Sequence, residues 1–159
     1  MRPYFFNNPG RVRSLKFEQD RWIGTPFYPR ACAVGVGVDC VRLQAEILAN
    51  TGAIPRLELP AYTLDHAKHT TRSQLLVFLL TAPELENRFT LVPLGAPRIP
   101  GDLLGLLSGM TDHHLASVDQ WGNAVHAIEE HGVIRTRLDD PKFSRRICYV
   151  LRLNESPQK

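Results

Sequence analysis

Three residues of this chain have the types that thiol-based acyl transfer needs: Cys40, His114 and His126. A thiol is only partly ionised near neutral pH, so a cysteine nucleophile works beside a base, and imidazole titrates in the useful range. Cys40 follows Val34-Gly35-Val36-Gly37-Val38-Asp39, which reads as a glycine turn, a helix cap and the first turn of a helix. Asp39 is a good N-cap because its carboxylate accepts from the free N–H groups at that end. The helix macrodipole favours thiolate over thiol there, so Cys40 is expected to be an activated sulfur.

The base has to come from His66, His69, His113, His114, His126 or His131. His66 and His69 fall in the polar lead-in to a predicted helix and His131 in a turn, so these three read as surface residues. His114 heads the apolar segment Leu115-Ala116-Ser117-Val118, and His126 lies inside Ala124-Val125-His126-Ala127-Ile128. Both stand an even number of positions from Gln120, the centre of the intervening turn, a parity that permits one face of an antiparallel pair. There, His114 takes the proton of Cys40 and donates with its other ring nitrogen to His126, which holds the tautomer. A zinc site from the same three residues matches in ligand type but lacks a close-spaced ligand pair. Gly35-Val36-Gly37 opens like a dinucleotide fingerprint, but Cys40 stands where the third glycine belongs. Cys32 and Cys148 read as small core residues.

The elements that must position these groups follow from pattern. Residues Met1 to Arg13 read as an N-terminal arm with a turn at Asn7-Asn8-Pro9-Gly10. A short helix fits Glu18 to Trp22, stopped by Gly24-Thr25-Pro26. The Cys40 helix runs on through Leu43, Ile47 and Leu48 to Gly52, and Pro55 to Leu64 is irregular. A second helix fits Thr71 to Thr81, with Thr70 or Thr71 as cap and Leu75, Leu76, Leu79 and Leu80 as its apolar face. From Gly101 the chain reads as strands: Leu103 to Leu107, His114 to Val118, Ala124 to Ile128, Val133 to Leu138, and Ile147 to Leu153. In the last, Ile147, Tyr149, Leu151 and Leu153 are expected on one face, and Asn154 to Lys159 is a polar, frayed tail. Helices first and a meander of strands second is an α+β layout, with one domain over residues 14–153.

Composition bounds the function. The chain has 159 residues, 43% of them hydrophobic and 22% charged, enough for one soluble domain with a real core. The net charge is +3, and its local basic clusters, Arg2, Arg11 and Arg13 in the arm and Lys142, Arg145 and Arg146, read as solvated surface with no nucleic-acid motif beside them. Three cysteines leave at least one free thiol. The N-terminus lacks the apolar core of a signal peptide, and the apolar run Leu75 to Leu80 is too short to span a bilayer.

The ordered motifs resemble a family. Trp22-Ile23-Gly24-Thr25-Pro26-Phe27 and Gly35-Val36-Gly37-Val38-Asp39-Cys40 are similar to the start of NlpC-type, papain-like cell-wall cysteine peptidases. Pro100-Gly101-Asp102-Leu103-Leu104, His113-His114-Leu115-Ala116 and Val125-His126-Ala127 match its later motifs in order. Arg145-Arg146 before an apolar strand is similar to the branch in tailed phages and gene transfer agents.

The resemblance implies helices packed on an antiparallel sheet of about five strands. It implies Cys40 as nucleophile, His114 as base and His126 as orienting residue, with no cofactor or metal. The substrate it implies is the peptide stem of peptidoglycan, cut beside D-glutamate or diaminopimelate. Asp39, Tyr28 and Arg42 are the further candidates for substrate or oxyanion contacts. The family commonly carries tyrosine where Phe27 stands, with Tyr28 the neighbouring hydroxyl. It commonly carries glycine where Arg42 stands, and a cation there either narrows the cleft or meets a substrate carboxylate. Backbone N–H groups of Cys40 and a neighbour supply the oxyanion donors. The expected setting is synthesis in a bacterial cytoplasm, incorporation into a phage-like tail beside hub or tail-tip proteins, and action in the periplasm or cell wall. The alternative is a structural or assembly subunit of a tail tip with weak or lost activity, motivated by Phe27 and Arg42.

Overall fold

Asn8 starts the ordered architecture. In the computed structural model, which describes residues 3–59, 74–108 and 111–157, its side chain accepts from Arg11 N–H at 3.0 Å. Pro9 follows at the first helical position, where a missing N–H costs nothing. Asn-Asn-Pro-Gly therefore opens a helix instead of turning an arm. This helix, α1 (Pro9–Trp22), buries Leu15, Gln19 and Trp22 along one stripe, and the expected short helix from Glu18 is only its end. The residues before it are tied to the other terminus: Phe5 N–H donates to Leu153 O at 2.8 Å and Glu155 N–H to Pro3 O at 2.9 Å. The start of the expected frayed tail is thus docked.

A two-stranded hairpin of β1 (Cys32–Ala33) and β2 (Gly37–Val38) leads into the second helix. Gly35 turns it at φ 76°, a conformation that L side chains rarely adopt. Gly37 is needed for space, since a Cβ there would lie 2.8 Å from Tyr28 Cβ and 3.2 Å from Ala31 Cβ. Helix α2 (Cys40–Asn50) then buries Cys40, Val41, Leu43, Gln44, Ile47 and Leu48. The helix α3 (Gln74–Thr81) follows; its expected start at Thr71 and its cap, like His66, His69 and residues 60–64, lie outside the described residues. Leu79 and Ala82 are buried, Leu75 and Phe78 pack on the core, and Leu80 is exposed, contrary to the expected face. In the wholly apolar run Leu75 to Leu80, composition does not select a face; the i, i+3, i+4, i+7 stripe through Leu75, Phe78, Leu79 and Ala82 does.

Among the described residues six strands form one antiparallel sheet, close to the five or so expected. They are β3 (Phe89–Val92), β4 (Leu103–Ser108), β5 (Thr111–Val118), β6 (Asn123–Ile128), β7 (Gly132–Arg137) and β8 (Ile147–Leu153), in spatial order β3-β8-β4-β5-β6-β7. Alternation along the strands makes two cores. Leu103, Leu115, Val125 and Leu151 face Leu15, Trp22, Leu43 and Ile47 of the helices. Leu104, Leu106, Ala116, Val118, Ala124 and Val150 face the other way, toward Phe143 of the short helix α4 (Pro141–Ser144). Ile147 joins this second cluster, although period two would put it with Tyr149. The register shifts between Gly105↔Tyr149 and Leu106↔Ile147, so a bulge at Cys148 turns Ile147 over.

Candidate active site

The site lies where the start of α2 meets β5 and β6. Those two strands pair at Ser117↔Val125 and Val118↔Ala124, and the ladder ends there. Val118 N–H donates to Asp102 O on the β4 side, so by alternation the N–H groups of Ser117 and Leu115 point toward β6. Beyond the end of the ladder, the N–H of Leu115 is directed at the sulfur of Cys40, where it favours the thiolate. One helical turn on, Gln44 Nε2 donates to Val125 O at 2.9 Å. Helix α2 thus docks on the main chain of both strands where they part, with Cys40 beside the residue next to His114.

The two histidines meet as their parity allows. His114 Nε2 and His126 Nδ1 are 2.7 Å apart, with ring planes inclined at 67°. His126 is buried, its second nitrogen lies 2.7 Å from Thr136 Oγ1, and Phe143 packs edge-on at 5.2 Å. Burial, with the nearby Arg146 cation adding to it, pulls the His126 pKa down to about 4. It is therefore a neutral ring near pH 7, able to accept one hydrogen bond and donate one. His131 is exposed in its turn, as expected, and His113 lies on β5.

Cys40 is not the ready thiolate its helix position suggests. Burial pushes its pKa up to about 12, and the Asp39 carboxylate adds to the rise. The N–H groups of Leu115, Cys40 and Val41 pull the other way without prevailing. The cap that opens the helix is itself an anion next to the sulfur, and its charge opposes the macrodipole. At rest Cys40 therefore carries its proton as a thiol.

The three weaker candidates separate. Asp39 accepts from Arg42 N–H at 2.9 Å, from Arg30 N–H at 2.8 Å and from Arg42 Nη1 at 2.8 Å, all while buried. Arg42 thus folds back on the helix cap, which accounts for a cation two residues after Cys40. Arg30 presents its N–H from the left-handed region, at φ 64°. Tyr28 is 65% exposed, with its N–H on Val38 O, while Phe27 is half-buried against the core. Cys32 is exposed on β1, not in the core, because β1 presents both residues outward. Cys148 packs on the larger core and its thiol donates to Gly105 O at 3.3 Å. Sequence reading did not single out Thr136, Gln44 or the Leu115 N–H, since all three depend on register or docking. Among the described residues no group of three or more His, Cys, Asp or Glu side chains is arranged to hold a metal, and no helix is long and apolar enough to cross a membrane.

No protein-family model matches the sequence, and no curated protein matches it. Solved structures do. A lipoprotein-like protein of the NLP/P60 family from Staphylococcus aureus superposes with a TM-score of 0.62 at 16% identity over 98% of this chain. An NlpC/P60 family protein from Bacillus cereus gives 0.57 at 19% identity over 87%. The NlpC/p60 domain of the peptidoglycan hydrolase SagA gives 0.53 at 15% identity over 90%. The fold is that of the NlpC/P60 proteins. The chain spans 44% and 39% of the first two structures and 97% of the SagA domain. At these identities the NlpC/P60 likeness fixes the architecture alone, so the roles of Cys40, His114 and His126 rest on this chain's own geometry.

Proposed function

We propose that this chain is a cysteine peptidase that cuts the peptide stems of peptidoglycan, with Cys40 as nucleophile, His114 as base and His126 as orienting residue. The observation that carries it is the contact of the Cys40 sulfur with the N–H of Leu115, next to a His114 ring held 2.7 Å from His126. His114 Nε2 is committed to His126, so the thiol proton passes to Nδ1 as sulfur attacks the scissile carbonyl. The oxyanion that forms faces the backbone N–H of Cys40 at the start of α2. The proton on Nδ1 goes to the leaving amine, giving a thioester. Water, deprotonated by the same imidazole, then releases the new carboxyl terminus and restores the thiol. No step calls for a metal or cofactor.

One of the neighbours is named as a peptidoglycan hydrolase domain, which supports the choice of substrate. The tail setting, with hub or tip proteins as partners and action in the periplasm or cell wall, rests on the resemblance at Arg145-Arg146. Isolation of intact particles and detection of this chain in them tests it. A purely structural role is the weaker reading, because the Arg42 cation that motivates it is paired with the Asp39 helix cap. Digestion of purified peptidoglycan by the wild-type chain and by Cys40→Ala decides the chemistry: new amino termini are expected from the first and none from the second. Equal release by both, or release by neither, refutes the enzyme.

A further inference from the structure

On the reading just given, we infer that Thr136 is a positioning residue that sets which nitrogen of His126, and through it of His114, carries the hydrogen. Register places it. β6 and β7 pair His126 with Ile134 and Ala124 with Thr136, so Thr136 is the diagonal neighbour of His126 on the same face. Its Oγ1 lies 2.7 Å from His126 Nε2, while His126 Nδ1 lies 2.7 Å from His114 Nε2.

A neutral imidazole has one N–H and one acceptor nitrogen, so these two contacts are not independent. For His114 to accept the thiol proton at Nδ1, its Nε2 must carry hydrogen and donate to Nδ1 of His126. His126 is then the Nε2–H tautomer and requires an acceptor at Nε2. The hydroxyl of Thr136 is that acceptor. His126 is 3% exposed, so an N–H without a partner there is costly. Without the hydroxyl, the less costly tautomer of His126 is Nδ1–H. That ring donates back to His114, moves the hydrogen of His114 onto Nδ1 and turns the base into a donor toward the sulfur. A threonine in a strand is ordinarily explained by β-propensity, which valine satisfies equally. Valine is therefore the discriminating replacement.

Long-range proton–nitrogen spectra of the imidazole rings in wild type, Thr136→Val and Thr136→Ser provide the test, with thermal melts checking that each variant is folded. Wild type and Thr136→Ser should show His126 as the Nε2–H tautomer, and Thr136→Val should lose it. In parallel, kcat for peptidoglycan cleavage should fall about 10- to 100-fold in Thr136→Val with KM little changed, and recover in Thr136→Ser. Unchanged ring signals in Thr136→Val, or an Nδ1–H tautomer of His126 in wild type, overturn the inference, whatever the rate does. If wild type cuts no peptidoglycan, the proposed function falls while the ring signals still decide the role of Thr136.

Discussion

One face of the six-stranded sheet packs against α1, α2 and α3 and holds the larger core; the other packs against Phe143 of α4 and holds the two histidines. On the first face the candidate nucleophile is a fully packed helix residue, fixed by the same burial that makes its thiol reluctant to ionise. On the second the polar groups are paired in series, His114 to His126 to Thr136. In the proposed mechanism the helix-packed face supplies position and the histidine face supplies proton transfer. The opening at the end of the β5–β6 ladder, where Leu115 N–H meets Cys40, is the contact between them. A cysteine here does not need a low resting pKa if its base is already oriented, because proton transfer and attack then proceed together.

The division can be broken from either side. His114→Ala should have the largest effect, lowering muropeptide release on the order of a thousandfold in a variant that a thermal melt shows to be folded. His126→Ala should lower it less, because the base remains but its orientation is lost. Equal losses from both would make the pair one functional unit and erase the ranking.

Acid should reveal the polar face in stability as well as in rate. The folded chain holds His126 neutral down to about pH 4, against an ordinary value of 6.5. Below 6.5 the unfolded chain takes up a proton that the folded one refuses. The stability from this group is complete above about pH 6.5 and falls by about 3 kcal/mol as pH drops through 4. Urea melts between pH 7 and 4 should show this slope in wild type and a shallower one in His126→Asn. Activity should fall in acid too, because an imidazole serves as a general base only in its neutral form; an acid optimum would argue against a histidine base.

The apolar face gives the smallest expected change. Asp39→Ala removes the cap of α2 and the partner of Arg42, costing about 1–2 kcal/mol in a chemical melt. It also takes an anion from beside the sulfur, so the Cys40 thiol should ionise at lower pH. The pH dependence of alkylation, read by mass on the Cys40 peptide, measures that directly; an unchanged profile would leave burial as the sole cause of the high pKa.

Local signals made much of this legible beforehand. The cap and glycine turn placed Cys40 at a helix start, and parity about Gln120 allowed His114 and His126 to share one face. What escaped were quantities set by docking. The protonation of Cys40 depends on how deeply α2 buries its first residue, which no helix signal contains. β3 escaped because it is an edge strand whose exposure does not alternate. The Asn-Pro pair at residues 8 and 9 reads as a turn until the chain beyond it is seen to coil. Thr136 became visible only through the β6–β7 register.

The hydrogen bond from Leu115 to Cys40 belongs to the backbone, and that has its own consequence. No ordinary substitution at position 115 deletes it: valine, isoleucine and methionine all keep the same amide. Only proline, which has no N–H, removes the donor. This part of the site is therefore written in chain geometry without a letter of its own. Relatives can keep it while their sequences drift, and a search by residue identity passes over it.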